Sequence, residues 1–72
     1  MVDRQGMSKE AYSYRVLNTA VATAKEYGQS FVIFVGGFAS NVFWDQAGAQ
    51  EKAREHAKRV GREKVVIKRI KV

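Results

Sequence analysis

Basic side chains are concentrated in the last third of this chain, and groups of this kind bind anions. Residues 52–72 carry nine Lys and Arg against two Glu, a net charge of +7, whereas residues 1–51 carry four bases against five acids, a net charge of −1. A field this one-sided attracts an acidic partner, of which nucleic acid is the commonest. We expect phosphate contacts from the cations nearest the C-terminus: Lys58, Arg59, Arg62, Lys64, Lys68, Arg69 and Lys71.

The other polar residues do not form a known catalytic pattern. The chain has no Cys, which excludes a thiol nucleophile, a disulfide and Cys-ligated zinc. Its one histidine, His56, lies among charged residues and is expected to be a solvated surface imidazole. No two acids are spaced as an acid–base pair, and Gly36-Gly37 lacks the Lys-Ser/Thr of phosphate-binding loops. We therefore predict no catalytic residue, no metal site, no cofactor and no enzymatic activity.

Secondary structure must position these cations. The clearest predicted element is a β-hairpin over residues 30–44. The apolar runs SFVIFV and FASNVFW flank Gly36-Gly37, a two-residue loop typical of hairpins. Such a turn predicts three facing pairs: Val35 with Phe38, Ile33 with Ser40, and Phe31 with Val42. Both sides of this hairpin would then be substantially apolar.

The second apolar side of the hairpin holds Val32, Phe34 and Phe43. If both helices pack on the other face, these three side chains are left in water. Burying each is worth roughly 1.5–3 kcal/mol, so we expect a twofold homodimer to cover them. The rival use of this face is a platform on which nucleic-acid bases stack.

The apolar pattern over residues 8–27 predicts a helix, because apolar residues recur there at spacings of three and four. The stripe comprises Tyr14, Leu17, Ala20, Val21, Ala24 and Tyr27. Ser8 is placed to cap its start and Gly28 to end it. A competing interpretation makes residues 11–17 a strand, since Tyr12, Tyr14 and Val16 alternate with polar residues there.

A second helix is expected over residues 46–60, with Asp45 as its cap and Gly61 at its end. Its inner stripe is small: Ala49, Ala53, Ala57 and Val60. Residues 64–72 are rich in Val and Ile and predict a final strand that runs parallel to the second strand.

The predicted fold class is α+β, in the order α-β-β-α-β, with a three-stranded sheet and both helices on one face. The alternative is the ferredoxin-like order β-α-β-β-α-β, which applies if residues 11–17 form a strand. We expect one domain over residues 8–72, preceded by a disordered tail over residues 1–7. A domain this small without disulfides or metal is marginally stable, which also favours a homodimer.

No apolar run approaches the length of a membrane span, and the first residues lack the apolar core of a signal peptide. We therefore expect a cytoplasmic protein with no membrane association. The leading hypothesis is a small, basic, non-enzymatic protein that binds DNA or RNA through phosphates. The alternative is a protein-interaction module, a regulator or inhibitor that docks on an acidic protein surface.

Overall fold

The computed structural model describes residues 8–72, which form two helices and a three-stranded sheet. The elements are α1 (Lys9–Tyr27), β1 (Gln29–Val35), β2 (Phe38–Phe43), α2 (Gln46–Val60), a 3-10 turn (Arg62–Lys64) and β3 (Val65–Lys71). This order confirms the α+β class and the α-β-β-α-β plan, in preference to the ferredoxin-like alternative. The tail predicted over residues 1–7 lies outside the described residues.

Helix α1 begins and ends where its sequence predicts, and hydrogen bonds cap both ends. The Ser8 hydroxyl accepts the Ala11 N–H at 3.1 Å. At the other end Gly28 takes a left-handed conformation with φ of 91° and donates its N–H to the Ala24 carbonyl.

The predicted apolar stripe of α1 is confirmed only in part, at Ala20 and Ala24. Val16, Ala20 and Ala24 are buried, whereas Tyr14 and Tyr27 are 69% and 57% exposed. The sheet packs on the two alanines of the stripe and on Val16 beside it, because small side chains let the helix approach closely, and the two tyrosines remain outside this contact.

The strand order is β2-β1-β3, and both outer strands are antiparallel to β1. Strands β2 and β3 therefore run in the same direction, as predicted for two strands joined through a helix. They are separated by β1, so each is an edge strand of the described sheet.

The hairpin register changes part-way along. Val35 pairs with Phe38 as predicted, but a bulge follows, so that Ile33 faces Asn41 and Phe31 faces Phe43. The predicted partners of Ile33 and Phe31, Ser40 and Val42, are wrong by one residue, because Ser40 is the extra residue. A bulge moves every side chain beyond it to the other face of the strand.

Helix α1 covers one face of the sheet. Val32, on this face, is fully buried in a cluster with Val16 and Ala20. The neighbouring Ser30 hydroxyl donates a hydrogen bond to the Ala20 carbonyl at 2.8 Å. The buried hydroxyl thus has a hydrogen-bond partner inside the core, and this bond fixes the position of α1 along the sheet.

Helix α2 covers the opposite face, which corrects the prediction that both helices share one face. Phe31 and Ile33 are buried there, at 5% and 0% exposure. Phe43, paired with Phe31, lies under Gly48 of α2, where a methyl group would come within 3.1 Å of the ring. The physical reason is that β1 is apolar on both sides, and each side recruits a helix of the same chain.

Candidate functional site

A groove runs between α2 and β3 on the α2 face of the sheet. Its volume is about 850 Å³. The floor is apolar and the rim is cationic, and the residues that line it are Ala53, Ala57, Val65 and Ile67 with Arg54, Lys58 and Arg62. Of the residues the structure describes, no carboxylate lines this basic groove, so it presents one sign of charge.

Local structure explains why the cations gather on one side of α2. Arg54 and Lys58 are four residues apart, so they project from the same side of the helix, separated by about 6 Å along its axis. Gly61 then ends the helix with φ of 102° and leads the chain into the turn that carries Arg62. The small alanine side chains of the inner stripe leave space between α2 and β3, and this space is the groove.

The cations of the basic groove are not neutralised by neighbouring acids. Within residues 8–72 the only ion pair joins Lys52 Nζ to Glu55 Oε1 at 3.3 Å. That pair is outside the groove lining. The charges of Arg54, Lys58 and Arg62 therefore remain available to an anion from solution.

Strand β3 extends this basic surface. Arg69 and Lys71 pair with Phe31 and Gln29, which places them on the α2 face of the sheet, with the groove. Lys68 pairs with Val32 and therefore lies on the α1 face. The seven predicted phosphate contacts are thus not on one face: Lys58, Arg62, Arg69 and Lys71 share the groove side, and Lys68 does not.

A second cavity, of about 350 Å³, lies at the hairpin turn, and we call it the turn pocket. The remaining predicted cations, Arg59 and Lys64, line it together with Lys9, His56 and Ser40. These side chains come from α1, β2, α2 and the 3-10 turn. Lys9 was missed by sequence analysis, since only the fold brings the start of α1 beside the end of α2.

His56 is a half-buried, hydrogen-bonded group, and the prediction of a solvated imidazole is wrong. Its Nε2 lies 2.7 Å from Asn41 Oδ1, and its Nδ1 lies 2.6 Å from Arg59 Nη2. A guanidinium can only donate, so Nδ1 must accept the Arg59 proton. The imidazole proton is then on Nε2, which donates it to Asn41.

The environment of His56 keeps the ring neutral. Burial lowers its pKa, and the positive charges of Arg59 and Lys52 lower it further, against a smaller opposing effect of Glu55. A neutral ring is the form that can accept the Arg59 hydrogen bond. The chain Asn41–His56–Arg59 thus ties β2 to the end of α2 and fixes the guanidinium at the turn pocket.

The apolar face predicted for dimerisation or stacking does not exist as a unit. Val32 is fully buried and Phe34 packs against the same cluster under α1. Phe43 lies on the other face, against Gly48. The bulge turns Phe43 to the α2 face, and helix α1 covers Val32 and Phe34 on the other face.

An exposed aromatic pair is found elsewhere, at the end of the sheet opposite the turn. The rings of Tyr27 and Trp44 have centroids 5.8 Å apart and a 30° interplanar angle, and they are 57% and 61% exposed. No sequence pattern joins these two residues. They meet because α1 ends where β2 ends.

Residues 8–72 form a small α+β domain that carries the basic groove and the turn pocket. No protein-family model, curated protein or solved structure matches the chain. Within residues 8–72, neither helix has the length and apolar character that crossing a bilayer requires.

Proposed function

We propose that the protein binds single-stranded nucleic acid, without catalysis, by laying the phosphate backbone along the basic groove. One observation carries the proposal: Arg54, Lys58 and Arg62 surround a concave, carboxylate-free lining. Arg69 and Lys71 continue the positive surface along β3. Fixed cations in a concave surface focus the field and attract a polyanion.

The shape of the groove favours a single strand over a duplex. A single strand can enter between α2 and β3, where its sugars and bases meet the apolar side chains of Val65 and Ile67. A duplex presents a wide convex surface that reaches only the rim. The described lining holds no aromatic ring for stacking, so we expect binding that is weak in sequence preference and dominated by phosphates.

A salt titration tests the electrostatic part of the proposal. If all five cations of the groove side contact phosphates, the log–log dependence of affinity on salt should have a slope of about −3.5 on a single strand. Isothermal calorimetry with a mixed-sequence oligonucleotide at several salt concentrations measures it. A slope near zero would mean that phosphates are not the ligand.

A triple substitution tests the location. Arg54→Gln, Lys58→Gln and Arg62→Gln together should weaken binding at least about tenfold and make the salt slope shallower by about 2. Gln keeps the helix propensity close to that of Arg and Lys. The matched control, Arg15→Gln with Lys25→Gln and Lys68→Gln, removes the same charge away from the groove. Equal losses of affinity in both variants would show that binding depends only on net charge, and would overturn the assignment of the groove as the binding site.

A second candidate function is the docking of an acidic protein segment, favoured by the free edge of β3. This strand pairs only with β1 among the described strands, and an extended segment could add to its outer side next to the basic groove. A stoichiometric protein partner that survives nuclease treatment, combined with no oligonucleotide binding, would support this function over the first.

Homodimerisation and a cytoplasmic location remain predictions. The dimer has lost one of its two supports, since α1 covers Val32 and Phe34 of the apolar face, and the small size of the domain is the one that remains. Light scattering distinguishes a particle of 8.1 kDa, the mass of one chain, from one of twice that mass.

A further inference from the structure

We infer that the turn pocket binds a phosphate monoester, the group found at the end of a phosphorylated nucleic-acid strand. Its lining brings together the cations Lys9, Arg59 and Lys64, and no carboxylate of residues 8–72 belongs to it. The choice of a nucleic-acid end as the source rests on the proposed function. The pocket's preference for a phosphate does not.

The number of cations matches a monoester better than a backbone diester. A phosphate monoester carries a charge of about −1.5 to −2 near neutral pH and three terminal oxygens, whereas each backbone phosphate carries a single charge. Three cations from three segments of the chain, with the Ser40 hydroxyl as a further donor, can surround such a group. A cavity of about 350 Å³ has room for a phosphate and its ester oxygen.

The pocket is held in shape before any ligand arrives. The Lys64 carbonyl accepts the Gly36 N–H at 2.9 Å, which fixes the 3-10 turn against the hairpin. Arg59 is oriented by its 2.6 Å hydrogen bond to His56 Nδ1, which uses one of its N–H groups and leaves others for an anion. His56 is accordingly a positioning residue, and the oriented guanidinium lowers the entropy cost of binding.

The position of the pocket relates it to the basic groove. Arg62 lines the groove and Lys64 lines the pocket, and both belong to the same 3-10 turn. A strand that follows the groove toward Arg62 would therefore bring its terminus to the turn pocket. The protein would prefer strand ends that carry a phosphate.

The test compares oligonucleotides of one sequence that end in a 5′-phosphate, a 3′-phosphate or hydroxyl groups only. We expect one of the phosphorylated forms to bind about tenfold tighter than the hydroxyl form. The double variant Lys9→Gln/Lys64→Gln should lose this preference. The groove variant Arg54→Gln/Lys58→Gln/Arg62→Gln should keep the preference while all three affinities fall. A preference that survives the Lys9/Lys64 change would overturn the inference.

A titration with inorganic phosphate separates the pocket from the proposed function. Backbone amide resonances of Gly36, Ser40 and Lys64 should shift in wild type and not in the Lys9/Lys64 variant, whose amide spectrum also reports whether it is folded. Shifts without any oligonucleotide binding support the pocket and overturn the proposed function. Oligonucleotide binding with no end preference and no such shifts overturns the pocket and leaves the proposed function standing.

Discussion

His56 illustrates how one side chain couples protonation to the arrangement of its neighbours. In the neutral form it accepts from Arg59 and donates to Asn41. Protonation at Nδ1 removes the acceptor and places a second positive charge against the guanidinium. The groups that act on the ring are Asn41 from β2 and Arg59, Lys52 and Glu55 from its own helix, and Lys9 and Lys64 line the same pocket.

The pH dependence of stability follows from the direction of this shift. Because the folded-state pKa of His56 is below 6.5, the unfolded chain binds the proton more readily. The stabilisation is complete above 6.5 and is lost as pH falls through the lower, folded pKa. We expect urea unfolding to show a His56-dependent loss of stability between pH 7.5 and 5.

The substitution His56→Gln serves as the control for this effect. A glutamine can accept from Arg59 through its carbonyl and donate to Asn41 through its amide, but it does not titrate. The variant should keep most of the stability at pH 7.5 and show a weaker dependence on pH. The same dependence in both proteins would mean that other groups cause it.

The bulge in β2 decides which helix each residue of that strand meets. By adding Ser40, it turns Asn41 toward His56 and Phe43 toward Gly48 of α2. Insertion of one alanine after Asn41 would move Val42 and Phe43 one position along β1 and exchange their faces, which takes Phe43 away from Gly48. We expect a loss of at least about 2 kcal/mol, since a large apolar side chain leaves its packing site. Chemical denaturation measures the change.

A point substitution at Ser40 is the control, because it changes the side chain of the bulge and leaves the register of β2 unchanged. Ser40→Gly keeps the number of residues in β2 and therefore keeps the bulge, which tolerates glycine well. It should cost much less than the insertion. An insertion that costs no more than Ser40→Gly would show that β2 absorbs the extra residue and that the register does not decide the packing of Phe43.

The elements and their ends could be predicted from sequence because their causes are local. Ser8, Gly28, the Gly36-Gly37 turn and Gly61 each act within a few residues of their position. The bulge and the side of the sheet that each helix covers depend on contacts far apart along the chain. Two apolar faces on β1 could be satisfied by a second helix or by a second chain, and sequence alone did not distinguish them.

The candidate site could also be predicted only in part, because it too depends on contacts between residues far apart along the chain. Nine bases near the C-terminus predicted a positive surface, but their alternation along β3 sends Lys68 to the face opposite Arg69. Arg54 could have been found from its four-residue spacing to Lys58. The contribution of Lys9 could not, since it lies 47 residues before His56 and joins it only through the fold.

Across the whole molecule, the unpaired cations oppose folding while they serve binding. Arg54 and Lys58 form a like-charged pair four residues apart, which destabilises a helix by about 0.2–0.5 kcal/mol. We expect stability to rise with salt as screening weakens this repulsion over a Debye length of about 8 Å at physiological ionic strength. Thermal unfolding at increasing salt concentration measures the trend.

The groove variant provides the contrast for this prediction. Arg54→Gln/Lys58→Gln/Arg62→Gln should be more stable than wild type at low salt, with the difference shrinking as salt is added. A variant that is less stable at every salt concentration would show that these side chains hold the fold together, in which case their removal could not test binding cleanly. Stability gained where affinity is lost is typical of residues placed for function.

The Tyr27–Trp44 contact gives the molecule a built-in optical probe. Trp44 is the only indole of the chain, it is mostly exposed, and a phenol ring lies 5.8 Å away. The six residues of β2 separate it by about 20 Å from the hairpin turn. Its fluorescence emission should therefore respond to a base that reaches the far end of β3 and remain unchanged when only the turn pocket is filled. One spectrum could thus report how far along the domain a bound strand extends.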